Sequence, residues 1–453
     1  MSMAAAAIAE PAAAGARARR DRRARQTAQA SLASKGVSYG ARLLSIPLAL
    51  RLLGPAPYGL WLTAGSLIGW LNFADLGLGS GLVSAVAAAQ GRSDSRVVER
   101  LVSTAFAASF AVALLLAAAV LALAGTDLAV RLLGAGAEPR LAAQARGLLI
   151  LLGCLFAASF ALSPVNHLCA ALQEGYRAHL ASIAATLASL VLLGALWFSG
   201  ASLMGFALAM GLPQLAATLL VAAFLFGGAH RALRPRLAAI EWRSLAAIFS
   251  QGGPLFLVTL SDVCVVYSIN VLVAERFGAA EVPRVAVPLS ICLVFVNICA
   301  GITQPYWPAC VEAAARRDWT WIRSAAVRIV RTNAAVLGVG ALGTVLLGRV
   351  FLSYWAGPAA LPSQALLNAL AIYALAQAFS YATGILLMGL GCLKARAALH
   401  AGAAAIHWAG FALLANRFGL LALPLAGAAG YALEAALAAA FAWHTFRKLA
   451  RSR

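Results

Sequence analysis

Asp75 stands in the stretch WLNFADLGLGSGLVSAVAAAQGR (70–92), just ahead of Gly77, Gly79 and Gly81. A carboxylate in so apolar a run has two chemical uses: it bonds backbone amides where a helix is broken, or it faces water and ions inside a membrane protein. Glycines at every second position let the backbone bend or unwind there, and let other helices approach closely. Arg42 and Asp262 also sit in apolar surroundings, and Arg328 and Arg331 begin another apolar run. Arg42, Asp262, Asp75 and Arg331 are therefore the substrate-binding candidates. Glu434 and His407, in the last two apolar runs, are candidates for ion coupling, since both side chains can take up and release a proton.

Other chemistries find no support. The seven cysteines (Cys154, Cys169, Cys264, Cys292, Cys299, Cys310, Cys392) fall in or beside apolar runs, and none has the spacing of a metal site. No nucleophile elbow, P-loop or nucleotide-binding glycine motif is present. No catalytic residue, metal or cofactor is expected.

The elements that must position these residues are spanning helices. Of the 453 residues, 62% are hydrophobic and only 11% charged, and the mean hydropathy is +0.86. A spanning helix needs about 20 mostly apolar residues. Twelve such spans are predicted, at 36–53, 58–86, 97–124, 145–171, 178–199, 202–226, 246–274, 285–308, 325–348, 364–388, 396–415 and 420–445. The expected fold is an all-α integral membrane protein, with two pseudo-symmetric six-helix bundles around a central cavity.

A net charge of +20 would suggest nucleic acid in a soluble protein, so its placement decides the matter. With the N-terminus in the cytoplasm, inner segments hold 26 of the 35 Lys and Arg, including Lys394 and Arg396, while outer segments and outer helix ends hold seven: Arg131, Arg140, Arg146, Arg276, Arg284, Arg349 and Arg417. This is the positive-inside pattern with both termini cytoplasmic, and it leaves no case for nucleic acid. The arginines of the opening stretch follow its small-residue run, unlike a secretory signal. On this topology Asp75 lies about 25 Å from the outer surface, and Arg42 and Asp262 reach about 9 to 12 Å in from the inner one. The three charges then share one depth, which predicts a water-filled vestibule between the halves.

An internal repeat supports the six-plus-six plan. A shift of 224 residues sets RLLGPAPYGLW against ERFGAAEVPRV, with Gly54 on Gly278, Gly77 on Gly301 and Arg92 on Arg316; a shift of 223 matches Gly134 with Gly357 and Pro139 with Pro362. Six spans per unit preserve orientation, so the repeats would be parallel, as in some secondary transporters. The expected organisation is a disordered basic tail at 1–34, an N-terminal bundle at 35–226, a cytoplasmic linker at 227–245, a C-terminal bundle at 246–446 and a basic tail at 447–453.

The segment ALRLLGPAPYGLWLTAGSLIGWLNFADLGLGSGLVSAVAAAQGRSD (49–94) resembles the start of the polysaccharide transporter family. These are the O-antigen-type flippases of the multidrug/oligosaccharidyl-lipid/polysaccharide exporter superfamily. The matching features are Leu52 to Gly54 with Tyr58 and Gly59, then Asp75 to Gly79 with Ser80, and Arg92. The resemblance implies a multi-pass protein of the bacterial inner membrane that moves a polyprenyl-diphosphate-linked oligosaccharide outward by alternating access. It implies as partners the lipid-linked oligosaccharide, membrane lipids, a coupling ion (proton or sodium) and glycan-assembly proteins. A diphosphate is an anion that guanidinium groups bind bidentately, and Arg42 is the first choice for that role.

Two rival readings are distinguishable. A multidrug exporter of the same superfamily would favour carboxylates and aromatics without a central arginine. An integral-membrane glycan polymerase or ligase would carry a large outer loop, whereas the longest here, GTDLAVRLLGAGAEPR (125–140), has neither paired carboxylates nor histidine.

Overall fold

The computed structural model describes residues 2–92, 94–136, 139–200, 202–228, 230–246, 260, 265–304 and 306–451. Among these the chain is helical, with no strand. The helices are α1 (Ser2–Leu53), α2 (Pro55–Trp70), α3 (Leu78–Gly91), α4 (Ser95–Ala124), α5 (Asp127–Leu132), α6 (Pro139–Ala161), α7 (Ser163–Ala171), α8 (Gly175–Ser199), α9 (Leu203–Gly227), α10 (Ser268–Phe277), α11 (Val282–Thr303), α12 (Tyr306–Ala315), α13 (Trp319–Trp355), α14 (Gln364–Gly389), α15 (Leu393–Phe418) and α16 (Ala422–Arg451). The first helix runs from Ser2 through Leu53. Alanine and arginine, which dominate that stretch, are both good helix formers.

Nine helical runs among the described residues are long and apolar enough to cross a membrane. The last, Leu393–Arg447, contains both α15 and α16. The expected first span is the end of α1, and most of the expected seventh, 246–274, falls outside the described residues. Large apolar side chains such as Leu115, Val191, Phe198, Leu220 and Val339 are exposed on these helices. A lipid bilayer is the solvent that such surfaces fit.

The chain divides into two compact units, and the division differs from a cut at the linker: one comprises Met1–Leu52, Ala74–Asp127 and Arg146–Gly253, the other Leu53–Phe73, Leu128–Ala145 and Pro254–Arg453. In the first unit, Leu82, Val86, Val102, Ala105, Val165, Leu168 and Leu225 form a buried core where α3, α4, α7 and α9 meet. The linker is fastened to this unit. Arg236 pairs with Glu99 at 3.2 Å, and Arg100 with Glu241 at 3.2 Å. The Glu241 amide donates to Thr104 Oγ1 at 2.9 Å, and the Arg236 amide to Ser103 Oγ at 3.1 Å.

The second unit packs α14 against α11, α13 and α16, with α15 alongside α16. Its core includes Val273, Val282, Val285, Leu370, Tyr373, Phe411 and Leu423. Here α2 rests on α10 and α11. Gly59 lies so close to the Ala279 carbonyl that a Cβ would collide with it.

The repeat shows in backbone geometry. Gly54, before α2, has φ 79° and ψ 173°, and Gly278, after α10, has φ 89° and ψ 159°. Such dihedrals belong to glycine alone.

Candidate functional site

The second span breaks where Asp75 and its glycines stand. After α2 a 3-10 turn covers Leu71–Asp75, Leu76 and Gly77 take left-handed conformations (φ 47° and 83°), and α3 begins at Leu78. The Asp75 carboxylate accepts the Gly79 N–H at 3.2 and 3.3 Å. It thereby satisfies a donor that the start of α3 leaves open. Gly79 also makes room for a neighbour: a Cβ there would collide with the imidazole of His167 on α7. Gly81 donates to the Gly77 carbonyl at 2.9 Å and is buried in α3. Of the other sequence candidates, Arg42 is exposed on α1, and Asp262 lies outside the described residues.

Arg331 belongs to a polar face of α13. With Thr320, Arg323, Ser324, Val327, Arg328 and Thr332 it lines a groove of about 610 Å³. Each of these positions has another three or four residues away, which places them on a single side of the helix. Three guanidinium groups and three hydroxyls therefore share one groove, and no carboxylate is among its lining residues. Arginine offers several donors in a planar fork and keeps its charge at any physiological pH. Such a face is suited to an anion with several oxygens.

The third constellation lies inside the second unit. Glu434 on α16 is 2% exposed, Arg396 and His400 on α15 are 4% and 2% exposed, and Ser380 on α14 is 1% exposed. One Glu434 oxygen meets Arg396 Nη1. Ser380 Oγ donates to the other at 2.6 Å. His400 Nδ1 lies 3.0 and 3.1 Å from the two oxygens. A carboxylate only accepts, so the His400 nitrogen facing it carries the proton. Taking an ion pair out of water is costly unless its remaining hydrogen-bonding capacity is used, and here serine and histidine use it. Arg396 reaches Glu434 because α14 has Gly384 under the guanidinium, where a Cβ would strike Nε.

Aromatic rings continue the array. Tyr431 lies beside His400 with centroids 6.1 Å apart, Tyr373 meets Tyr431 at 5.6 Å, and His407 stands edge-on to Tyr373 at 6.3 Å. His407 is 1% exposed, and neither of its ring nitrogens has a hydrogen-bond partner. Glu434 and His407 were singled out by the sequence. Arg396 stands in the sequence among the cations of the inner segments, and nothing in the sequence reading marks His400 or Ser380. The signal that could have found them is spacing: Arg396, His400 and His407 recur at four and seven residues, on one face of α15.

Comparison with known proteins bears on the fold and the family. The family described as polysaccharide biosynthesis protein matches residues 25–308. No curated protein sequence matches the chain. Among solved structures, the inward-facing conformation of a multidrug resistance MATE family transporter of the MOP superfamily superposes with a TM-score of 0.77 at 16% identity, over 91% of this chain and 96% of that one. The outward-facing conformation of a transporter described in the same way gives 0.64 at 16% identity, over 96% and 97%. A MOP superfamily transporter from Pyrococcus furiosus Vc1, described as having a binding pocket of reverse polarity, gives 0.65 at 16% identity, over 96% and 97%. With well over half of its length matched by that family, the chain belongs to the polysaccharide biosynthesis proteins and has the multi-pass helical fold of the MOP transporters.

Proposed function

We propose that the protein is an exporter that moves a polyprenyl-diphosphate-linked oligosaccharide repeat unit across the bacterial inner membrane by alternating access, in polysaccharide biosynthesis, with both termini cytoplasmic. The observation that carries this reading is the arginine face of α13, Arg323, Arg328 and Arg331, in a groove without a carboxylate. The cargo headgroup is a diphosphate that must cross about 30 Å of hydrocarbon. Paired guanidinium groups offset the loss of its hydration through bidentate, charge-assisted hydrogen bonds. Arg331, with Arg323 and Arg328 beside it on α13, holds the diphosphate, and Asp75 positions the start of α3 through its bond to Gly79.

A proton gradient supplies the driving force in this reading. The coupling candidates are Glu434, with Arg396 as its fixed counter-charge, and His407. Protonation loosens the hold of Glu434 on α14 and α15, because a carboxylic acid no longer accepts from Arg396, His400 and Ser380 together.

The test is a deletion strain complemented by variants. Loss of surface glycan with lipid-linked repeat units accumulating on the inner leaflet is expected. Complementation is expected to fail for Arg323→Ala/Arg328→Ala/Arg331→Ala at wild-type protein levels. Unchanged glycan together with altered drug resistance would replace this reading with a multidrug exporter of the same fold.

A further inference from the structure

We propose that the second unit carries a carbohydrate-binding pocket at the ends of its helices that the charge pattern assigns to the outer face. It rests on the exporter reading above and names the part of the cargo bound there: the sugars, separately from the diphosphate. The cavity measures about 670 Å³ and is lined by Arg131, Glu275, Arg276, Trp408 and Phe411, with Gly134, Gly136 and Gly278 along its wall. That volume lies within the roughly 300–1,000 Å³ of ligand pockets.

The lining decides the ligand class. Trp408 presents a half-buried indole held against Trp70, with ring centroids 5.9 Å apart. An aromatic face with a polar rim accepts the C–H face of a pyranose ring, which is apolar on its flat side and ringed by hydroxyls. Around it stand a carboxylate and two guanidinium groups: Arg131 lies 3.8 Å from Glu275, and Arg276 bonds the Asn416 side-chain oxygen. Hydroxyls both donate and accept, so they suit a rim that has both kinds of partner. A diphosphate is served less well, because Arg131 is already paired with Glu275 and Arg276 with Asn416. The α13 groove has the opposite make-up, with arginines and hydroxyls and no carboxylate or aromatic ring. The two lipid-cargo chemistries, anion and sugar, thus have separate sites on one unit.

The experiment uses the full-length protein in detergent. Its probe is the repeat-unit oligosaccharide released by mild acid from the polyprenyl-lipid fraction of the deletion strain, titrated calorimetrically. Wild type is expected to bind this diphosphate-free glycan, with Trp408→Ala weakening it at least tenfold, Glu275→Gln weakening it by a smaller factor and Trp408→Phe retaining most of it. Inorganic pyrophosphate is expected not to compete. Equal binding by wild type and Trp408→Ala, no binding by wild type, or displacement by pyrophosphate would each overturn the pocket while leaving the exporter reading in place. A deletion strain that accumulates no lipid-linked glycan would remove the exporter reading, and this inference with it.

Discussion

Asp94 and Asp318 stand one repeat apart, at the 224-residue offset that also aligns Arg92 with Arg316, and they perform the same task. Asp94 accepts the Val97 N–H at 3.1 Å at the start of α4, and Asp318 accepts the Trp321 N–H at 3.0 Å at the start of α13. Each satisfies a backbone donor that the helix itself cannot. The identity of a cap in two positions so far apart is the repeat expressed as chemistry. Asp94→Ala is expected to cost about 1 kcal/mol and Asp94→Asn much less, read as a shift in the midpoint of thermal unfolding in detergent. An alanine variant as stable as wild type would remove the cap's energetic role.

Asp318 adds a pH dependence. The Thr320 hydroxyl, donating at 2.7 Å, and the Trp321 amide hold its carboxyl below the ordinary carboxylate range. A carboxylate whose folded-state pKa is depressed stabilises the fold above its unfolded pKa and loses that contribution as pH falls through the folded value. The melting-temperature difference between wild type and Asp318→Ala should be level from neutral pH down to about 5, then shrink below about 4. A difference that widens on acidification would contradict the assignment.

For the buried cluster, removing one partner leaves the other charge stranded. Arg396→Met and Glu434→Gln are each expected to destabilise the protein by about 3–5 kcal/mol. The double variant Arg396→Met/Glu434→Gln should lose less than either single one, since it strands no charge. Denaturant unfolding of the four proteins gives the coupling directly. Additive losses would mean that the two groups do not depend on each other.

Close backbone approaches predict a second set of losses. Gly59→Ala would drive a methyl into the Ala279 carbonyl, and Gly134→Ala into the Ala274 carbonyl, the latter from φ 65°. Each should cost about 1–3 kcal/mol through overpacking, with an added backbone penalty at Gly134. Gly65, helical with nothing within 4 Å of a new Cβ, is the control. There alanine should gain up to about 1 kcal/mol. Equal melting temperatures for Gly59→Ala and Gly65→Ala would show that α2 can shift freely.

Local signals were readable in advance where they act over a few residues. Asp75 followed by alternating glycines spelled a broken helix, because capping and left-handed turns are made by neighbours in sequence. Arg331 is legible in sequence only as a cation in an apolar run, and its groove depends on Arg323 and Thr320 sharing its helix face. Arg396 counts with the inner-end cations because it opens an apolar run, and the residue that neutralises it, Glu434, is far along the chain on another helix. Facing could not be inferred there: α14 and α15 are apolar on nearly every side, so hydrophobic periodicity carries little information about which side meets which neighbour. Ser380 illustrates the same difficulty, since nothing near it in sequence distinguishes it from a serine bonding its own helix.

Gly384 and Arg396 have a consequence for how this protein can change over generations. A methyl at 384 cannot be admitted while the guanidinium lies across it, and a shorter residue at 396 would leave Glu434 without its cation. Drift at either position is therefore barred unless the charge at 434 goes first. Lineages that have lost that acid should show freedom at both sites, and lineages that keep it should hold the glycine and the arginine together.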